Sequence, residues 1–272
     1  MPPEVPPAEP TGFTDSPDYV QSLARGLSVL RSFDQHHDAM TLSELAARSG
    51  LSRAAARRSL LTFQHEGYVG CSGRKFFLLP RVLELGFAYL SSLRLPELAL
   101  PVMEELAHRA NESCSLSVLD GHEIVYVARV PVRKVVAITL GVGARLPAHA
   151  ASMGRVLLAG LDDEALDRWL ADDPLRPLTP RTVRTAKALR REIAAVRRQG
   201  YAQVSQELDL GLFSIAVPIR DRRREVVAAL NIGTSFSLEV EKRARERFLP
   251  ALVRAQRAIE WALAHQLTAT RS

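Results

Sequence analysis

The chain reads as an α+β protein in which a compact winged helix-turn-helix is joined by a helix to a larger α/β domain. Three observations predict this. A helix–glycine–helix stretch, TLSELAARSGLSRAAARRSL over Thr41–Leu60, is followed by two short β-prone runs around a Ser-Gly turn. Beyond Asn111 the purely helical texture gives way to strand-like and helix-like runs in alternation. Finally, 272 residues, 47% of them apolar, suffice for one or two domains with cores that need no covalent staples.

Taken in order, residues 1–17 hold six prolines and are expected to form a disordered arm. From Tyr19 onward Val20, Leu23, Ala24, Leu27, Leu30 and Phe33 recur at helical spacing, until DQHHDAM breaks the pattern. Thr41 is an N-cap, and Glu44 three residues later completes a capping box. The helix LSELAARS stops at Gly50, where a left-handed backbone is easily adopted. Ser52 caps RAAARRSLLTFQHE, and YVGCSGRKFFLL follows as a hairpin, completing a domain over 18–80. An apolar helix from Arg81 to Leu93 supplies a linker over 81–95, and Pro96 opens ELALPVMEELAHRA at the start of a second domain, 96–272. In that domain strands are expected at SLSVL, EIVYVARV, VVAITL, YAQVS, FSIAVPI and EVVAALNIG. Helices are expected at Ser152–Leu161, Glu164–Leu170 and Ala186–Gln199, with a single long one over Leu238–Leu267.

Within the first domain Ala46 is small where two helices approach, Gly50 permits the sharp turn and Leu51 plugs the space between them. Leu42, Leu45, Ala56 and Leu60 face inward. That leaves Ser52, Arg53, Ala54, Arg57 and Arg58 on the exposed start of the second helix, which in such motifs enters the DNA major groove. Arginine there can bond guanine O6 and N7 together, and Ser or Ala allows close approach. Arg74 and Lys75 at the wing suit phosphate or minor-groove contact, and Thr41 and Ser43 are assigned to the same interface. Charge supports this only locally. The net +6 is a weak signal, but residues 48–75 carry six bases against the single acid Glu66. Arg181–Arg198 is a second basic run and reads as a solvated helix face.

Other classes are excluded on chemistry. Two cysteines, Cys71 and Cys114, build no disulfide framework and have no metal-ligand spacing. No apolar window reaches membrane length, and the N-terminus lacks the basic and apolar regions of a secretory signal; a cytoplasmic protein is expected. An enzyme reading would enlist His149 and Ser152, yet that serine sits in AASMG rather than a nucleophile elbow. GVG at 141–143 is no dinucleotide fingerprint, since residue 146 is Leu. His36 and His37 read as a polar loop, and Trp169 and Trp261 as core or interface. No catalytic residue, cofactor or metal is implied. A purely architectural DNA binder would not need the large second domain.

At these residues the sequence resembles the IclR family of bacterial transcriptional regulators. YVQSLARGLSVLRSF leading into the helix-turn-helix carries the likeness at the front. VGARLPAHAASMGRVLLA, GYAQVSQELDLGLFSIAVPIRD and VVAALNIGTSFS carry it behind. ARVPVRKVVAITLGVGARLPAHAASMGRVLLA and QELDLGLFSIAVPI are similar to the PcaR/PcaU/PobR branch, which governs aromatic-acid (β-ketoadipate pathway) catabolism. The resemblance implies a GAF-like effector-binding domain, a dimer that is often a dimer of dimers, and a pseudo-palindromic double-stranded operator. It places the effector pocket at Ser152, Met153 and Gly154, around Val204, Gln206 and Ser214, and at Asn231 and Gly233. A helix start at Ser152 also suits a carboxylate physically. Arg129, Arg133 and Arg155 are candidate counter-charges, although each taken singly reads first as a surface arginine. Where acid-binding relatives carry acidic residues before Gln206 and small hydroxyls or thiols near its end of the pocket, this chain has Val204, Ser205, Asn231 and Gly233, Ser214 alone keeping that character. The departure disfavours a glyoxylate- or pyruvate-sized effector and suits a larger ring acid of the protocatechuate or 4-hydroxybenzoate type, with Asn231 bonding a carboxylate or phenol. A non-aromatic keto acid or ring-cleavage product is the alternative.

Overall fold

The computed structural model describes residues 12–34, 36–92, 94–132, 140–172 and 175–265, and the chain divides into two compact units, Met1–Leu93 and Arg94–Ser272. In the first unit three helices, α1 (Gln21–Leu30), α2 (Leu42–Ser49) and α3 (Arg53–His65), pack on one another. Their local chemistry matches the sequence reading. Thr41 forms the capping box of α2, its N–H donating to Glu44 Oε2 at 2.7 Å and its hydroxyl accepting from Glu44 N at 3.4 Å. The bond from the Thr41 backbone holds the Glu44 carboxyl below its ordinary value. Gly50 ends α2 at φ 68°, and Ser52 Oγ accepts from Ala55 N at 3.2 Å to start α3. Val29, Met40, Leu45, Leu60 and Val69 form the core, with Leu51 and Phe63 packed against it.

The wing has one more strand than the sequence predicts. The hairpin of β2 (Val69–Ser72) and β3 (Lys75–Leu78) is joined by β1 (Ala39–Thr41), giving the antiparallel order β1-β3-β2. Three residues are too short for a period-two pattern, so β1 is visible only as a partner of β3. Of the expected arm, residues 1–11 lie outside the described set, and Phe13–Asp15 form a 3-10 turn rather than disordered chain. Phe13 meets Tyr19 edge-on, with ring centroids 6.0 Å apart. The helix expected over Arg81–Leu93 starts as a 3-10 turn, Pro80–Leu83, and becomes α4 over Glu84–Ser92.

The second unit opens with α5 (Arg94–Ala110) and builds a six-stranded antiparallel sheet from β4 (Ser113–Asp120), β5 (Glu123–Val130), β6 (Arg145–Pro147), β7 (Ala202–Ser205), β8 (Leu212–Arg220) and β9 (Val226–Ser235), in the order β6-β5-β4-β9-β8-β7. α5 and α10 (Leu249–His265) pack on the sheet and on each other, while α6 (Ser152–Ala159) packs on the sheet and against α8 (Ala186–Gln199). Ile215–Ile219 and Ala228–Ile232 are buried without alternation, the pattern of strands covered on both faces. Between α6 and α8 lies α7 (Asp163–Asp172). The strand expected at VVAITL, and Arg133 just before it, fall almost wholly on 133–139, outside the described residues. The long final helix is two: α9 (Leu238–Arg247) ends at Phe248, and α10 begins at Leu249. Pro250 explains the break, because its ring excludes the carbonyl four residues back and it has no N–H to donate. No helix among the described residues is long and apolar enough to cross a membrane.

Candidate functional site

In the first unit, α3 presents Ser52, Arg53, Ala54, Arg57 and Arg58 to solvent while Ala56 and Leu60 on its other side are fully buried. The helical period thus separates a core stripe from a basic stripe within one helix. Arg74 in the wing turn, beside Gly73 at φ 60°, and Lys75 at the start of β3 are also exposed. Among the described residues no carboxylate lies within ion-pair distance of Arg53, Arg57, Arg58, Arg74 or Lys75. Arg48 differs. It was counted in the local positive excess, but its Nη2 donates to Asp34 Oδ2 at 2.6 Å and its Nε to Ser32 O at 3.0 Å, so it braces the loop before β1. Asp34 also accepts from His37 at 2.8 Å, and that bond with the His36 N–H brings its carboxyl down to about 2. Thr41 is half-buried with its hydroxyl engaged in the cap, whereas Ser43 is exposed.

In the second unit a cavity of about 110 Å³ opens over one face of the sheet. Strand register explains its floor. Ser115 on β4 stands opposite both Arg129 on β5 and Asn231 on β9, and Ser113 stands opposite Gly233, which in turn faces Ser214 on β8 and, beyond it, Val204 on β7. Alternate residues of a strand share a face, so these two cross-strand rows point the same way. All seven line the cavity, and the start of α6 adds Ser152 and Met153 while the loop after β7 adds Gln206 and Glu207. Of the sequence-assigned effector residues, Arg129, Ser152, Met153, Val204, Gln206, Ser214, Asn231 and Gly233 therefore converge.

Gly154 and Arg155 do not line it. A Cβ on Gly154 would stand 2.0 Å from Ala148 O, so this glycine serves the close approach of α6 to the preceding turn. At Gly233 a Cβ would meet only Asn231 Nδ2, at 3.9 Å, so that glycine leaves the floor open. Arg155 is corrected from a counter-charge to an internal partner: it is 3% exposed, and its Nη2 donates to Glu207 Oε2 at 2.6 Å while its Nε donates to His149 O at 3.2 Å. His149, for its part, bonds Arg176 O through Nε2 at 3.1 Å.

The electrostatics of the cavity are uneven. Arg129 Nη1 donates to Ser115 Oγ at 3.0 Å, and among the described residues no carboxylate pairs with its guanidinium. Among the described residues Ser152 Oγ and Asn231 Oδ1 are buried with no hydrogen-bond partner. Each such group costs about 1–3 kcal/mol until something bonds it. Tyr126, Leu140, Leu146, Met153 and Phe213 supply apolar wall. Burial pushes the Tyr126 hydroxyl up to about 12, and pushes the Cys114 thiol well above its ordinary value, leaving it inert as a nucleophile. A cation, two unsatisfied polar atoms and an apolar surround are suited to a small anion with an apolar body.

Sequence reasoning missed Glu207, Thr179 and Thr182. Thr179 Oγ1 donates to Gln206 O at 2.7 Å and Thr182 Oγ1 to Glu207 O at 2.6 Å. These bonds, with Gln206 N donating to Leu212 O at 2.7 Å, over-determine Gln206 at φ 59°, a conformation costing a non-glycine residue about 1–3 kcal/mol. The available signal was Arg155, the only charge in SMGRVLLA, which required a buried acid. Trp169 is 8% exposed and donates Nε1–H to Gly121 O at 2.8 Å; Trp261 is instead 65% exposed, stacked on His265.

Known proteins share this arrangement. Residues 22–70 match the IclR helix-turn-helix domain and residues 87–261 match the family described as bacterial transcriptional regulator IclR C-terminal. The Pca regulon regulatory protein of Pseudomonas putida is 41% identical over 256 residues, 94% of this chain and 87% of that protein. The p-hydroxybenzoate hydroxylase transcriptional activator of Acinetobacter baylyi is 37% identical over 219 residues, covering 79% and 81%. Among solved structures, an IclR homolog from Microbacterium hydrocarbonoxydans complexed with 4-hydroxybenzoate is 32% identical with a TM-score of 0.77, covering 89% of this chain and 98% of that one. With a basic helix-turn-helix, an enclosed cavity on a sheet and family models matching both, the chain belongs to the IclR family of bacterial transcriptional regulators and binds DNA rather than catalysing a reaction.

Proposed function

We propose that this regulator reads its operator with residues 18–80 and senses a small aromatic carboxylate with residues 96–272, the two joined over 81–95. The observation that carries the effector assignment is the cavity in which, among the described residues, Arg129 is offered without an acidic partner beside the unsatisfied Ser152 Oγ and Asn231 Oδ1. Arg129 and Ser152 receive the carboxylate, and Asn231 bonds a ring hydroxyl across the floor. At about 110 Å³ the space is smaller than an apolar cavity of about 150 Å³ that admits benzene, so a ring acid fills it and requires its walls to open slightly. That one relative activates p-hydroxybenzoate hydroxylase transcription and another was solved with 4-hydroxybenzoate supports the same class.

On the DNA side, Arg53, Arg57 and Arg58 enter the major groove, Ser52 and Ala54 allow close approach, and Ser43, Arg74 and Lys75 contact the backbone. The protein acts in the cytoplasm as a homo-oligomer on a pseudo-palindromic operator. Val20, Leu23 and Leu27 on one segment and Leu83, Leu85 and Phe87 on another are apolar and exposed in the single chain, as a dimer surface requires. Effector binding regulates the operator by the difference in its affinity for the DNA-bound and free states.

Calorimetry with 4-hydroxybenzoate and protocatechuate on the full chain tests the effector assignment. A hydrogen bond to a charged group is worth about 1.5–3 kcal/mol, so Arg129→Met is expected to weaken binding roughly 10- to 150-fold, and Asn231→Ala to weaken it less. Unchanged constants would remove both residues from the site. A response only to short keto acids would replace the aromatic assignment.

A further inference from the structure

Two walls of the cavity come from distant parts of the chain: Ser152 at the start of α6, and Gln206 in the loop after β7. Glu207 is where they are fastened. Its carboxylate accepts from Arg155 Nη2, on the same helix as Ser152, at 2.6 Å, and from Val183 N at 3.1 Å. Its own carbonyl accepts from Thr182 Oγ1, and the carbonyl of Gln206 from Thr179 Oγ1. Arg155, Glu207, Thr179 and Thr182 are all buried, at 3%, 8%, 8% and 4% exposure. Three segments far apart in sequence thus meet on two consecutive residues, and the backbone they clamp is the left-handed one at Gln206.

We propose that Glu207 is a positioning residue for the effector: its pair with Arg155 and the threonine bonds to its backbone lock the 206–211 turn against the start of α6, setting the distance between Ser152 and Gln206 and so which acids the cavity takes. A buried ion pair is a poor source of net stability but a good device for holding one geometry. Glu207 does this without bonding the effector. The inference rests on the cavity being the effector site.

Two variants of the full-length chain test it. Thr182→Val keeps the side-chain shape and removes the hydroxyl that holds Glu207 O, whereas Thr182→Ser keeps the hydroxyl. Thr182→Val is expected to bind 4-hydroxybenzoate at least tenfold more weakly by calorimetry, and Thr182→Ser within twofold of the unmodified chain. In the ligand-free protein, hydrogen exchange at amides 206–211 should speed up in Thr182→Val and not in Thr182→Ser, with β8 and β9 protection unchanged. Glu207→Gln should behave like Thr182→Val; should it fail to fold, the threonine pair still decides. Faster exchange with unchanged affinity would overturn the proposal by making the clamp merely structural, and unchanged exchange would overturn it outright. If the unmodified chain binds neither 4-hydroxybenzoate nor protocatechuate, the aromatic-acid reading fails alone. The two threonine variants are then compared by exchange and by binding of the short keto acid that the chain does take.

Discussion

Arg57 and Arg129 are both cations with no acidic partner among the described residues, yet the molecule presents them in opposite settings. Arg57 stands exposed on α3, one of several bases brought together by a single stretch of sequence. Its charge acts through water, where attraction to phosphate is long-ranged and falls steeply with salt. Arg129 is half-buried on β5, bonded to a serine from β4 in a cavity that Met153 of α6 also lines, and its charge acts beside apolar wall. There a few groups suffice, because each bond is stronger and water competes less. The difference teaches that an exposed basic face is built by accumulating local charge, and an internal cavity by converging distant residues.

Each unit has its own core, so the largest expected effect separates the two. Leu60 is fully buried beside Leu45 and Val69, and Leu60→Ala should destabilise the first unit by about 2–5 kcal/mol, abolishing operator binding while leaving effector binding by calorimetry intact. Loss of both would break the comparison. Arg57→Ala is next, with about 1–3 kcal/mol of operator affinity lost if it reads a base, and a shallower salt dependence instead if it meets only phosphate. Fluorescence anisotropy at several salt concentrations tells these apart.

At alkaline pH an effect should come from the second unit. The Tyr126 hydroxyl is raised to about 12 by burial, above the ordinary value near 10. Because the folded state binds that proton more tightly, the contribution is present below pH 10 and is lost as pH rises from 10 towards 12. Alkaline unfolding followed by near-ultraviolet circular dichroism should shift to higher pH in Tyr126→Phe, and an unmoved midpoint would show that the hydroxyl is solvated. The smallest effect belongs to the cap. Thr41→Ala should cost about 0.5–2 kcal/mol in the stability of the first unit, read as a modest drop in Tm, and a larger loss of operator affinity would give Thr41 a contact beyond its capping role.

Legibility followed the same division. The exposed basic stripe of α3 could be named residue by residue because a capping box, a left-handed glycine and a 3.6-residue period are all written within a few residues of one another. Even so, Arg48 was miscounted, because its partner Asp34 lies 14 residues away in a loop with no pattern of its own. In the second unit the resemblance placed the cavity-lining strands but also assigned Gly154 to the pocket, and charge alone made Arg155 a counter-charge; nothing local distinguishes a helix residue facing a ligand from its neighbour facing the core. The break at Pro250 was legible and was missed, since the apolar period runs through it.

By itself, then, the sequence determined the three helices of the first unit with the caps of α2 and α3, five of the six strands of the larger sheet (β4, β5, β7, β8 and β9) and the basic stripe on α3, since each depends on neighbours along the chain. Only the tertiary structure decided that β4 lies beside β9, which sets Arg129, Ser115 and Asn231 in one row, and that Arg155 turns inward to Glu207, 52 residues away. Strand order and buried pairing are settled by contacts between distant segments, and these leave no periodic trace in the sequence.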